Sequence, residues 1–426
     1  MVEPSYYTQP YKPFTSKTKK TRECRVPLTT SPPSPLRRVS IHKLQLSVAN
    51  PFLLQSMIEM ADDFTTSLKR PRPRAEDFTV AWICALPVEL TAAEAMLDDD
   101  YEDINDDPQY KLGRIGRHNV VIVCLPAGQI GSNSATEAAV ELRYKFPAVK
   151  IGLMVGIGGG VPSAEADIRL GDVVVSQPQG PYGGVVQYDF GKIGSDGSSI
   201  RTGSLNAPPR SLLTAISRLQ SNRNARRSHI PIHLSSLSDR SEFHRRNAGP
   251  DILFPASYSH VVGSTCDQCD KDMEIRRPPR ESEEPVIHFG TIASGNKVVK
   301  DGHSRDRLSS ELGGVLCFEM EAAGLMNSLP SLVIRGISDY ADSHKNSKWQ
   351  PFAAAAAAAC AKEILSSVPT ISHVIGTNIG LIRDAPSSHM GLSRSNTLYT
   401  ESLAGEKDTL PKQHSITVAD LQQPIE

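Results

Sequence analysis

Along the chain, short apolar runs rich in β-branched residues alternate with segments whose apolar positions recur at helical spacing. Phe78 to Leu86 (FTVAWICAL) reads as a buried strand, and Pro87-Val88-Glu89-Leu90 after it as a helix start, because proline suits the first helical turn. Asn119 to Leu125 is a second buried strand. Ser132 to Tyr144 opens with capping residues and continues as an amphipathic helix. Ile151 to Val155 is a third strand, which the pattern expects to be broken by Gly156 and Gly158-Gly159-Gly160. Asp172 to Ser176 follows as a strand, then a peripheral helix over Pro209 to Leu219. From about 220 to 285 the text is Arg/Ser/Pro-rich and reads as a long insertion. Order returns with Val286 to Ser294, Val315 to Phe318, a helix over Glu319 to Leu329, a strand over Leu332 to Ile337 and an Ala-rich helix over Gln350 to Leu365. Strands alternating with helices predict an α/β sheet covered by helices on both faces.

Composition trims this picture at both ends. Residues 1–76 and 370–426 are polar and proline- or serine-rich, and are expected to be disordered arms flanking one folded unit over 77–369. The first fifty residues carry nine Lys/Arg against Glu3 and Glu23, with seven prolines that would break a presequence helix, so a basic arm is preferred to an organelle address. A net charge of −1 leaves no field to hold a polyanion, which argues against a nucleic-acid binder. No apolar run approaches the ~20 residues a membrane span requires. Seven cysteines, several inside apolar runs, suit a reducing compartment, and a cytoplasmic location is expected.

Three acidic positions each stand just past a predicted buried strand, where open α/β sheets bind ligands: Glu89, Glu321 and Asp339. Singly, each suits a helix start, where an acid gains ~0.3–1 kcal/mol from the macrodipole. Together they suit a reaction that needs an acid, a base and a partner for hydroxyl groups, such as glycosidic cleavage. Gly156 to Gly160 would let backbone approach a ligand closely, but Lys-Ser/Thr of a phosphate loop is missing and Val161 stands where a dinucleotide motif needs its third glycine. Cys266-Asp267-Gln268-Cys269, flanked by His260 and His288, is read as free thiols in the insertion, with a zinc site as the alternative. The pairs Arg245-Arg246 and Arg276-Arg277 are read as solvated charges, Asp342 as a loop or cap residue, and His303 and His344 as neighbours of a ligand or surface groups.

WICALPVEL (Trp82 to Leu90), VGIGGGVPS (Val155 to Ser163), IRLGDVVVS (Ile168 to Ser176), IASGNKV (Ile292 to Val298), CFEMEAAGL (Cys317 to Leu325) and IRGISDYAD (Ile334 to Asp342) together resemble the nucleoside phosphorylase and nucleosidase superfamily, most closely its fungal branch. The resemblance spans 77–369 and implies a three-layer α/β/α sandwich around a twisted mixed sheet. F-E-M-E-A is similar to the V-E-M-E-A of methylthioadenosine/S-adenosylhomocysteine nucleosidases. That likeness implies that Glu321 accepts bonds from the ribose hydroxyls, Met320 packs on the sugar and Glu319 borders base or sugar. It further implies that Asp339, beside Ser338, protonates a purine leaving group from an apolar pocket. Gly158, Gly159, Asn296 and Val298 would line the ligand, and Lys297 its edge. Glu89 matches the glutamate with which hydrolytic members activate water, where phosphorylases place an arginine. The R-V-G-S phosphate site of phosphorylases here reads Met154-Val155-Gly156-Ile157. A carboxylate beside a phosphate dianion repels it, so hydrolysis is expected over phosphorolysis, with Arg169 and Arg335 the remaining candidates for a phosphate site. The expectation is therefore a purine nucleosidase, with no metal or organic cofactor in the reaction and, by resemblance, a homo-oligomer. A phosphorylase or a non-catalytic nucleoside sensor is the alternative.

Overall fold

The computed structural model describes residues 73–101, 107–195 and 199–370. Apart from residues 73–76 and 370, the expected basic arm and C-terminal tail lie outside them. The strands are β1 (Val80–Cys84), β2 (Asp99–Asp100), β3 (Tyr110–Ile115), β4 (His118–Cys124), β5 (Ile151–Gly160), β6 (Val173–Ser176), β7 (Val185–Gln187), β8 (Gly191–Ile193), β9 (Ser199–Arg201), β10 (Ile287–Gly290), β11 (Ile292–Ser294), β12 (Cys317–Glu319) and β13 (Ser331–Asp339). The helices are α1 (Pro87–Glu94), α2 (Ser132–Lys145), α3 (Arg210–Asn224), α4 (Ile230–Leu234), α5 (Gly302–Glu311), α6 (Ala322–Leu325) and α7 (Gln350–Ser366). The main sheet runs β10-β6-β13-β5-β1-β4-β3-β2, and β12, β11 and β7 branch from the far end of β5.

The sheet is mixed. β13, β5, β1 and β4 are parallel, whereas β6 runs against β13 and β3 against β4. Alternate side chains of the central strands leave in opposite directions, and both sets are apolar. Val80, Trp82, Val120, Ile122, Leu153, Val155, Leu332 and Ile334 meet α1, α3 and α7 on one face. Ala81, Ile83, Val121, Val123, Met154 and Val333 meet α2 and α6 on the other. Burying each such branched side chain contributes ~1.5–3 kcal/mol, and a slip of one residue would exchange the two sets, so register is strongly specified. The result is the expected three-layer α/β/α sandwich.

Ala353 to Ala359, all buried, form the part of α7 that lies on β5 and β13. The helix sits so close that a Cβ on Gly336 of β13 would overlap the carbonyl of Ala353. Larger residues on either element would force the two apart.

Several expectations are corrected. Gly156 to Gly160 do not break the third strand, which continues to Gly160 and there turns its edge to β12. These glycines serve close packing: a Cβ on Gly158 would meet Cys317 Sγ and one on Gly159 would lie 2.9 Å from Asp339 Oδ1. The helix expected over Glu319–Leu329 is shorter, because Cys317–Glu319 pairs as β12 and only Ala322–Leu325 is helical. Segment 225–285 holds mostly short turns, yet Leu237 and Phe243 bury themselves against α7. Arg277 and Arg245 are not solvated charges. Arg277 donates to Asp251 Oδ2 at 2.7 Å and to Tyr340 Oη at 2.6 Å, and Arg245 lies over the Trp349 ring at 4.3 Å.

Candidate active site

The carboxyl ends of β1, β5 and β13 meet a cluster of buried charge. Glu89, in the first turn of α1, turns its side chain back over the end of β1. Its Oε2 accepts from the amides of Ala85 (2.7 Å) and Leu86 (3.0 Å), and its Oε1 accepts from Ile157 N at 2.8 Å. The helix-start role is thus real, and the Ile157 bond carries the carboxylate across to β5. A Cβ on Gly156 would overlap Glu89 Oε1 and lie 2.6 Å from Arg335 Nη1, so glycine there makes room for the cluster.

Arg335, on β13, is 1 % exposed. Its Nη2 is bonded to Glu319 Oε2 and lies 3.2 Å from Glu321 Oε2, and its Nη1 donates to Ile157 O at 3.4 Å. Burial works against the charged guanidinium, but Glu319, Glu321 and Glu89 outweigh it and raise its pKa. Glu319 also accepts from the amides of Glu321 and Ala322 (both 3.1 Å). Glu321 Oε1 accepts from Gly131 N at 3.2 Å, tying the cluster to the start of α2. Burial pushes Glu321 up to about 7, against the pull of Arg335 and aided by Glu319 and Glu89. Burial likewise raises Glu89, opposed by Arg335 and by its three amide donors.

Asp339 lies four residues beyond Arg335, opposite Gly159. It takes no hydrogen bond from the Arg335 cluster. Oδ2 accepts from Ser338 Oγ at 2.9 Å and from Lys345 Nζ at 2.7 Å, and Oδ1 accepts from Ala341 N at 3.0 Å. The expected apolar setting is therefore partly polar, because the loop after β13 folds back with Lys345. Ser338 and Asp339 line a cavity of about 360 Å³ together with Phe254, Cys269, His344 and Trp349.

The remaining expected residues divide. Met320 is half-buried between Glu319 and Glu321, and Gly158 and Gly159 are buried. Asn296 Oδ1 accepts from Ser132 N (3.0 Å) and Ser132 Oγ (2.9 Å), so it braces the helix start that holds Glu321. Val298 is 47 % exposed, and Lys297 and His303 are also exposed. Arg169 is engaged by Asp167 and by Pro278 O. Arg335 is named from the sequence only as a candidate for a phosphate site; its pairing with the glutamates follows from its place in a fully buried strand, where an arginine must be paired, and Lys345 is not named at all. Lys345 carries no such signal in its polar loop.

The sequence profile of the Phosphorylase superfamily matches residues 79–368. A nucleotide-binding leucine-rich repeat (NLR)-like protein of Hyaloscypha variabilis is 45 % identical over 313 residues, which is 72 % of this chain and 31 % of that protein. The chain thus spans about a third of that relative's length. A 5′-methylthioadenosine/S-adenosylhomocysteine nucleosidase of Mycobacterium bovis is 24 % identical over 69 % of this chain and 98 % of its own. The solved nucleosidase of the same name from S. pneumoniae covers 68 % of this chain and 100 % of its own, at 19 % identity and a TM-score of 0.44. Among the described residues no helix is long and apolar enough to cross a membrane. With the profile matched across the whole sheet and its covering helices, the chain belongs to the phosphorylase superfamily.

Proposed function

We propose that the chain hydrolyses the N-glycosidic bond of a purine nucleoside, releasing free base and ribose. The observation that carries this reading is the Arg335 cluster: the buried guanidinium is shared among Glu319, Glu321 and Glu89, so it is not free to hold a phosphate dianion. Arg169 is likewise engaged. In this reading Glu89 polarises water toward C1′. Burial raises its pKa, which makes the carboxylate a stronger base than an exposed one. Glu321, backed by Met320 and Glu319, accepts the ribose hydroxyls; a carboxylate taking two hydroxyl donors is a strong, directional clamp. Asp339, held by Ser338, passes a proton to the leaving base; with Lys345 displaced by the purine it takes that proton from solvent, and the proton Glu89 draws from the attacking water is returned to solvent, so none is gained or lost over the cycle. Positioned acid–base catalysis contributes typically ~10²–10⁴-fold, and fixed charges at a developing oxocarbenium ion contribute a similar amount. A cytoplasmic location, a homo-oligomeric assembly and the lining roles of Gly158, Gly159, Asn296 and Val298 belong to the same proposal.

Chromatography of adenosine, inosine and guanosine incubated with the protein, with and without phosphate, tests it. Phosphate-independent release of base is expected, reduced at least ~100-fold in Asp339→Asn. Release that requires phosphate and yields ribose 1-phosphate overturns hydrolysis. The NLR-like relative favours a second reading, a nucleoside-binding module without turnover. Saturable binding with no product in the same incubations would establish it.

A further inference from the structure

The insertion holds a donor set that the proposed reaction does not use. His260, Cys266 and Cys269 lie in it, and His344 lies on the loop after β13. His260 Nδ1 stands 3.4 Å from Cys269 Sγ and 3.9 Å from Cys266 Sγ. One donor atom each of His260, Cys269 and His344 fall within 4.8 Å of one another. A tetrahedral zinc ion bonded at about 2.3 Å to sulfur and about 2.0–2.1 Å to nitrogen holds those two ligands about 3.5 Å apart. The two observed sulfur–nitrogen separations bracket that value.

The imidazoles are oriented as ligands. His260 Nε2 lies 3.0 Å from the carbonyl of Gly263, which can only accept, so Nε2 carries the hydrogen and Nδ1 presents its lone pair to both sulfurs. The His344 side chain is 8 % exposed, and neither ring nitrogen has a hydrogen-bond partner among the described residues. A buried polar atom left unmatched is costly. The ring is stacked on Phe254, with centroids 4.3 Å apart, and its Nδ1 points toward Asp342 Oδ1 at 3.7 Å. That is the side from which a carboxylate orients a metal-bound imidazole, and it leaves Nε2 for the metal.

We propose that Cys266, Cys269, His260 and His344 bind one zinc ion as a four-coordinate structural site that fastens the insertion to the loop beyond Asp339. Two thiolates and two imidazoles in tetrahedral array select zinc among common divalent ions, and with all four positions taken by protein no water is activated there. The fastening has a local consequence. His344 directly precedes Lys345, the ion-pair partner of Asp339, and His260 N donates to Ser343 Oγ at 2.9 Å, so the same clamp sets where Lys345 stands. The C-x-x-C therefore does not hold idle thiols. The ligand that completes it lies far along the chain, where spacing alone does not reveal it.

The test uses the full chain, purified without chelator and free of any histidine tag. Elemental analysis should find about one zinc per chain. After zinc is removed, titration with cobalt(II) should saturate at about one equivalent, giving thiolate-to-cobalt charge transfer and the visible bands of a tetrahedral ion. Cys269→Ser and His344→Ala should each lose that stoichiometry. A folded wild-type chain that takes up less than about a tenth of an equivalent of either metal overturns the site, as does full stoichiometry in both variants. Should the variants fail to fold, the wild-type cobalt spectrum decides. None of these readings depends on whether the chain cleaves nucleosides.

Discussion

Replacing Arg335 by methionine, which keeps the stem and deletes the charge, is the sharpest probe of the buried cluster. At the 3.2 Å separation from Glu321, and an effective dielectric constant of about 20, one such pair is worth about 5 kcal/mol of Coulomb energy. Desolvation offsets part of that, and breaking a buried pair by removing one partner costs ~3–5 kcal/mol. With whole-domain stabilities of about 5–15 kcal/mol, the loss is a large share. It should also depend on pH. Burial pushes Glu321 up to about 7, so this carboxyl holds more proton in the folded than in the unfolded chain between about 4.5 and 7, and its own contribution to stability falls as pH rises through that window. Without the guanidinium Glu321 and Glu89 lose the cation that opposes their rise, so the penalty grows with pH through and above that window. Urea titrations followed by fluorescence of the buried Trp82 and Trp349 report the result. A loss of about 3–5 kcal/mol at pH 8 is expected, shrinking by at least half at pH 5.5. An unchanged midpoint at pH 8, or the same loss at both pH values, refutes the cluster's electrostatic account.

Three further outcomes follow from the geometry. Gly336→Ala drives a methyl into the backbone of α7 and should cost about 1–3 kcal/mol, lowering Tm by several degrees in a calorimetric scan. Gly116→Ala, whose site has a φ of 57° but open space, should cost less. Asp172 is buried with Arg280 at 2.5 Å and His288 at 3.0 Å; burial favours its neutral form, but these partners outweigh it and lower its pKa. Its contribution is therefore present above the ordinary aspartate range and lost as pH falls through the depressed value, so Asp172→Asn should destabilise by a few kcal/mol at pH 7 and by progressively less in acid, read by urea midpoints.

Legibility in the sequence followed physical redundancy. β1, β4, β5 and β13 are buried on both faces, so their continuous apolar runs could be read directly. β3 carries no clean two-residue period, because Tyr110 and Leu112 join one core face and Ile115 the other; α5 gives no apolar stripe, because its buried positions are Gly302, Arg305 and Ser309. The glycine run misled, since glycine marks both turns and tight packing, and only the neighbours Glu89, Cys317 and Asp339 show which applies. The acidic motif residues are legible, whereas Arg335 is legible only as a candidate phosphate ligand and not as the cation that gathers three of them. The donors around His260 and His344 come from segments brought together by tertiary folding, which no local pattern encodes.

The alanine face of α7 has one more implication. A surface of methyl groups offers no ridges to interlock, so little in the middle of that rod resists sliding along its own axis. Anchorage falls to its extremities: Trp349 is gripped by Arg245 and donates to Pro250 O at one end, while at the other Lys362 reaches Met96 O and Asp98, and Glu363 accepts from Ser228. Those few polar fastenings, rather than the apolar bulk between them, fix the axial position of α7 against the sheet it covers.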